Sequence, residues 1–186
     1  MKTEHRLAEA LKNMMSDLPL EEISVAALTR RCKVHRQTFY YHFNDIYDLL
    51  ALVFLNEKIP NIDEANNSEE MVTSIYRYYE KNQAFIDGTL NSAGKDLFEE
   101  FIYNTCYRLF TKFINNLAES KRITVSEKKN IVRFRAFAYS SSIVYYLSTH
   151  KNKSLENMLL CFCFENDENM RKEIIGLLDY RWRRKS

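Results

Sequence analysis

A chain of 186 residues with three glycines and two prolines has few places where it can turn tightly or press its backbone against a ligand. Sheet-rich folds need turn residues at short, regular intervals, and phosphate-cradling loops need clustered glycines. Neither supply exists here. Long, uninterrupted helices are what remains, and the apolar residues recur at helical spacing along most of the chain. The expected fold class is all-α. A hydrophobic fraction of 46% supplies a core, and a net charge of only +2 means that any basic character is local.

The local basic stretch lies near the N-terminus. From Ile23 through Asn44 there is no acidic residue, while Arg30, Arg31, Lys33, Arg36, His35 and His42 fall inside the window, interleaved with Phe39, Tyr40, Tyr41 and Phe43. Ser24 can cap a short helix running to Cys32, because its hydroxyl can accept from an orphan amide. Lys33, Val34 and His35 are too few for more than a turn, and residues 36–42 make a second short helix. Two short helices joined by about three residues form the outline of a helix-turn-helix. The second helix would enter the major groove by its N-terminal end. Arg36, Gln37 and Thr38 then reach base edges: Arg pairs with guanine, Gln with adenine, and the Thr methyl meets a thymine methyl. Tyr40, Tyr41 and His42 follow one turn later, where phenol and imidazole donors hold phosphates. Phe39 and Phe43 read as the core that locks the helices together. By composition alone the acid-free window could equally be a solvated basic face.

The run RRCKVHRQTFYYHFNDIYDLL resembles the TetR family of bacterial transcription regulators. The resemblance rests on Tyr40, Tyr41, His42, Phe43, Asp45, Leu49 and Leu50, and covers about the first fifty residues. RQTFYYHF, followed by YDLL, further resembles the subgroup that includes regulators of dihydroxyacetone kinase operons and some metal-responsive repressors. The resemblance implies a homodimer on a palindromic double-stranded DNA operator, usually repressing and released by a small-molecule effector. The chain departs from the family pattern at three positions: Lys33 stands at the usual turn glycine, His35 at the turn serine, and Ile46 at a lysine that reaches a phosphate. Losing that cation lowers the salt slope by about one unit, and Lys33 is placed to replace it.

In chain order, helices are expected over residues 4–18, 24–32, 36–42, 46–58, 69–86, 95–119, about 126–150, 154–164 and 167–183. Asp45 would cap the fourth, and Gly88 and Gly94 would bracket a loop. Residues 1–50 form the DNA-reading domain, three helices including the helix-turn-helix, and 51–186 a helical effector-binding and dimerisation domain, with the polar stretch 61–67 near the boundary. The helix to about residue 150 is apolar nearly all round its second half, through Phe134, Phe137, Ala138, Ile143, Val144, Tyr145 and Leu147. Such a helix needs a partner besides its own core. Together with the Trp182-bearing face of the last helix it is the expected dimer interface, with Val144 and Ile175 as the positions to charge.

Most of the twelve tyrosines and twelve phenylalanines read as core. The resemblance implies an effector pocket among them, with Tyr76, Tyr79, Ile102, Cys106 and Tyr139 as its candidate lining. Cys32, Cys106, Cys161 and Cys163 do not make a disulfide framework in a chain of this length, and Cys32 packs as a small apolar residue. Cys161 and Cys163, with His150 as a conceivable third ligand, lack the second pair of a metal site and sit among Leu159, Leu160, Phe162 and Phe164. No cofactor or metal is expected, and no acid–base or nucleophile set points to an enzyme. Met1 to His5 leads into an amphipathic helix rather than a signal peptide, and no apolar run is long enough to span a bilayer. The expected compartment is the cytoplasm. Arg181, Arg183, Arg184 and Lys185 suit a helix C-terminus. The alternative reading is a co-regulator that keeps the fold and acts through a protein partner, or an activator.

Overall fold

The computed structural model describes residues 3–150, 153–162 and 167–184, and among these there is no strand. Ten helices follow one another: α1 (Thr3–Met15), α2 (Val25–Arg31), α3 (Arg36–His42), α4 (Ile46–Asn56), α5 (Ser68–Lys81), α6 (Gln83–Leu90), α7 (Lys95–Asn116), α8 (Val125–Thr149), α9 (Leu155–Leu160) and α10 (Asp167–Arg183). The fold class is all-α, as the glycine-poor sequence requires.

Several helix ends are fixed by the residues read as caps. Ser24 Oγ accepts from Ala27 N at 3.1 Å, and Asp45 Oδ1 accepts from Asp48 N at 2.9 Å. Other boundaries differ from the expected ones. α1 stops at Met15, and Leu18 is exposed, because Asp17 N and Leu18 N both turn back to the Met14 carbonyl ahead of Pro19. α4 ends at Asn56 rather than 58, and α7 at Asn116 rather than 119, where a 3₁₀ turn over Ala118–Arg122 takes over. The single helix expected over 69–86 is two, α5 and α6. Asn82, at φ −123° and ψ 25°, leaves the helical region, and its carbonyl then accepts from Ile86 N at 2.9 Å. Gly88 therefore lies inside α6, not at the edge of a loop. α8 starts from Thr124 rather than Ser126, through a capping box: Thr124 Oγ1 accepts from Glu127 N at 3.2 Å, and Thr124 N donates to Glu127 Oε2 at 2.7 Å. α9 ends at Leu160 instead of 164, and residues 163–166 lie outside the described ones.

The chain divides into two compact units, residues 1–58 with 79–101, and residues 59–78 with 102–186. In the first unit Leu7, Leu11, Leu28, Phe39, Leu49 and Leu50 are fully buried. The Phe54 ring meets Phe85 at 5.4 Å, Phe101 at 5.6 Å and Phe98 at 5.8 Å, so α4 is seated on α6 and the start of α7 by aromatic packing. Lys12 Nζ donates to Glu57 at 2.9 Å and stands over the Phe85 ring. The loop after α6 passes so close to α4 that a Cβ on Gly94 would fall 2.5 Å from Leu50 Cδ2.

In the second unit α7, α8 and α10 supply the core. Tyr139 stacks on Phe162 at 4.6 Å and takes Phe110 edge-on at 4.9 Å. Ion pairs join the elements: Arg135, buried, donates from Nε to Glu173 at 3.1 Å, Arg171 meets Glu119 and Arg181 meets Glu127. The Tyr146 hydroxyl accepts from Ser154 N and donates to Ser154 O, both at 3.0 Å, tying α8 to the start of α9. The expected functional boundary at residue 50 falls inside α4.

Candidate nucleic-acid interface

α2 and α3 are each seven residues long, too short to persist alone, and are held by packing and by their turn. Cys32 closes α2, its amide bonded to the Leu28 carbonyl at 3.0 Å. Lys33 then takes φ 52°, the left-handed region, and its amide donates to Arg30 O at 3.1 Å, while Val34 N donates to Thr29 O at 3.0 Å. A glycine would adopt this φ without strain, and lysine adopts it at a cost of about 1 kcal/mol. His35 follows in extended conformation and α3 begins at Arg36.

α1 braces both ends of this unit. The Arg6 guanidinium donates to the Cys32 carbonyl at the close of α2. Glu4 Oε1 stands 3.1 Å from His42 Nδ1 at the last residue of α3. Cys32 is buried as expected, and its Sγ donates to the Arg6 carbonyl at 3.5 Å. Burial pushes its thiol pKa up against the opposing pull of Arg6 and Arg31.

α3 is divided by its own periodicity. Phe39 is fully buried and Phe43, just past the helix, nearly so, with their rings 5.5 Å apart. Arg36 and Gln37 are exposed and Thr38 is half-buried. Tyr40 is 53% exposed and Tyr41 84%. Lys33 also faces solvent at the turn. Of the seven residues singled out for DNA, Lys33, Arg36, Gln37, Thr38, Tyr40 and Tyr41 have no side-chain partner among the described residues beyond the local ring contact of Tyr40 with Phe39 and of Tyr41 with His42. His42 differs, since its Nδ1 faces Glu4. The acid-free window of the sequence is thus not acid-free in space. Ile46, at the usual lysine, is buried and takes no part in this face. Sequence reasoning passed over Glu4 because its contact spans 38 positions (42 − 4).

The five residues proposed for an effector pocket are all buried. Tyr79 belongs to the first unit, where its hydroxyl donates to Asp87 at 3.2 Å. Tyr76, Ile102, Cys106 and Tyr139 belong to the second. Burial pushes the Cys106 thiol up to about 12, which leaves it inert at neutral pH. Cys161 donates to the Asn157 carbonyl at 3.5 Å, and Cys163 lies outside the described residues. Among the described residues no group of three His, Cys, Asp or Glu side chains is placed to hold a metal, and no helix is long and apolar enough to cross a membrane.

Two short helices about a left-handed turn, braced by a third and carried in an all-helical chain of two units, define the class of helix-turn-helix transcription regulators. Comparison with known proteins narrows the class. Residues 66–162 match the family model described as a transcriptional regulator C-terminal region of the TetR type. That match spans more than half of the chain, and the protein belongs to the TetR family of transcription regulators. The chain is 29% identical over 86 residues to the HTH-type dhaKLM operon transcriptional activator DhaS of Lactococcus lactis subsp. lactis (strain IL1403), over 45% of this chain and 46% of that protein. The alignment thus spans just under half the length of that curated relative. The solved structure of a dihydroxyacetone kinase operon activator DhaS superposes with a TM-score of 0.60 over 96% of this chain and 97% of its own, at 22% identity, a likeness of fold.

Proposed function

We propose that this regulator binds a palindromic double-stranded DNA operator as a homodimer, with α3 in the major groove, and represses until a small-molecule effector releases it. The observation that carries the reading is the division of α3: Phe39 is spent on the core, while Arg36, Gln37, Tyr40 and Tyr41 are left to solvent with no apolar reason to be there. Arg36, Gln37 and Thr38 read bases, while Tyr40, Tyr41, Lys33 and His42 hold phosphates. Dimerisation through α8 and α10 is supported by the solvent-facing apolar side chains of Phe134, Phe137 and Tyr145 on the one and Ile175 and Trp182 on the other. Two-fold symmetry then sets the recognition helices about 34–36 Å apart, or a multiple of that. Residues 1–50 read DNA, and 51–186 dimerise and take the effector, with Tyr76, Ile102, Cys106 and Tyr139 of the second unit as the proposed lining. The compartment is the cytoplasm and no catalytic role is assigned.

A second reading has a specific observation in its favour: the curated relative and the structural neighbour are both named as activators. The sign of regulation then depends on where the operator lies relative to the promoter, with the same contacts to DNA. Selecting bound duplexes from a random pool tests the common part. Recovery of an inverted repeat supports it, and failure to enrich any sequence, with no retention of duplex at low salt, sinks it. Transcription in vitro from a promoter carrying the recovered site separates repression from activation.

A further inference from the structure

The acid that faces the recognition helix has a chemical consequence, which rests on the DNA-binding reading above. His42 Nδ1 lies 3.1 Å from Glu4 Oε1, with His42 and Glu4 side chains 24% and 41% exposed. A bare imidazole nitrogen and a carboxylate oxygen both present lone pairs, and at this distance they repel. The ring proton of neutral His42 therefore sits on Nδ1, since a neighbour on one nitrogen sets which of the two is protonated. Nε2 is then a bare acceptor. A phosphate is also an acceptor, so neutral His42 has nothing to offer it. Only the imidazolium carries protons on both nitrogens, one towards Glu4 and one for the phosphate.

We infer that Glu4 is a positioning residue that makes the His42–phosphate contact conditional on a proton: DNA binding takes up a proton at His42 Nε2 in each protomer. The proton comes from solvent, and the Nε2–H donates to a phosphate oxygen without any covalent change. The sign follows from linkage. The bound state holds the extra proton, so affinity is greater at low pH and is lost as pH rises, by at most about tenfold per pH unit for each protomer.

Neighbouring charged groups on α1 and α4 have partners of their own. On α1, His5 Nδ1 lies 3.7 Å from Glu9, and Arg6 is engaged with the Cys32 carbonyl. At the start of α4, Asp45 accepts from Asp48 N, and Asp48 accepts from Asn44 N at 3.0 Å and from its side-chain amide at 2.6 Å. Tyr41 meets the His42 ring edge-on at 5.0 Å. Glu4 is the only acid in recorded contact with His42 among the described residues.

The decisive variant is Glu4→Gln. It keeps the shape of the side chain, but an amide can donate as well as accept, so it permits the neutral ring to carry its proton on Nε2. His42→Gln offers an untitratable donor and serves as the reference without a proton at this position. The measurement is the dissociation constant of the full-length protein for a mixed-sequence duplex at one fixed salt concentration, between about pH 6 and pH 8. Proton uptake is read in parallel by calorimetry in two buffers of different ionisation enthalpy. Wild type should weaken several-fold across the range with proton uptake at His42. Glu4→Gln should bind more tightly than wild type at the upper end and give a flatter profile, and His42→Gln should remove the linked proton. Thermal denaturation of each variant identifies a folding defect. If Glu4→Gln proves unstable, wild type against His42→Gln alone decides whether His42 takes up the proton. Duplex binding with the same slope and proton count in wild type and both variants overturns this inference and leaves DNA binding standing. Absence of duplex binding at every pH and low salt overturns both.

Discussion

α3 in the first unit and α8 in the second are among the helices that show aromatic rings to solvent, and Tyr40 and Tyr41 on the one differ from Phe134 and Phe137 on the other by one group. α3 exposes Tyr40 and Tyr41, whose hydroxyls are polar tips. α8 exposes Phe134 and Phe137, 69% and 65% open, which have nothing to offer water. Both pairs are open to solvent, and their chemistry is opposite. A phenol in solvent can wait for a phosphate at little cost, whereas a bare phenyl at the surface is stabilised by leaving water, at roughly 25 cal/mol for each Å² covered. The comparison separates a face suited to a charged, hydrated partner from one suited to a protein surface.

Charging the α8 face gives the largest expected effect. Phe137→Glu places a carboxylate at each end of a two-fold contact, at about 2–4 kcal/mol per copy. The expected product is a folded monomer with unchanged helicity, checked by sedimentation together with circular dichroism. A monomeric wild type at micromolar concentration would break the comparison from this side. Ile175→Glu on α10 should act in the same direction.

Phe39→Ala comes next, on the other side of the comparison. This ring lies between the exposed tyrosines in sequence yet is fully buried, and its removal costs about 3–5 kcal/mol of stability, seen as a lower denaturation midpoint. A loss of DNA affinity without a loss of stability would mean that Phe39 is not the anchor of α3.

Smaller changes sharpen the assignment within α3. Gln37→Ala should cost about 1–3 kcal/mol on the selected operator and little on random duplex. Tyr40→Phe, which removes only the hydroxyl, should weaken both by the same factor, about 1 kcal/mol. Equal losses on both duplexes for Gln37→Ala would put α3 in the wrong register in the groove. Smallest of all, Lys33→Gly should relieve the left-handed turn, raise stability by about 1 kcal/mol or less, and lower the salt dependence of duplex binding through the lost cation.

Much of this was legible from local sequence, because short-range chemistry determines it. Ser24 and Asp45 cap where their hydroxyl and carboxylate oxygens predict, and α3 spans the seven residues read from its apolar spacing. What escaped depended on choices that neighbours in sequence do not settle. Asn82 has the same side chain whether it continues a helix or leaves it, and it leaves. α8 is apolar on several faces, so periodicity could not say which residues turn inward: Val144 is 2% exposed and belongs to its own unit's core, while Phe137 stands outside. A charge at Val144 would therefore report on folding, and Phe137 replaces it as the probe of dimerisation. The Glu4–His42 contact spans most of the N-terminal helices and has no signature in either segment alone.

The three glycines of the chain also say where its sequence is free to drift. At Gly176 a new methyl group would meet nothing within 4 Å, and at Gly88 it would sit at ordinary contact distance, 3.5 Å, from the Met15 carbonyl. At Gly94 it would drive into Leu50, a fully buried side chain with no room to retreat. In a library of all single substitutions, position 94 should therefore stand out as intolerant even to alanine, although it lies in a connecting segment and touches no candidate contact. A loop that looks expendable would behave under selection like a piece of the core.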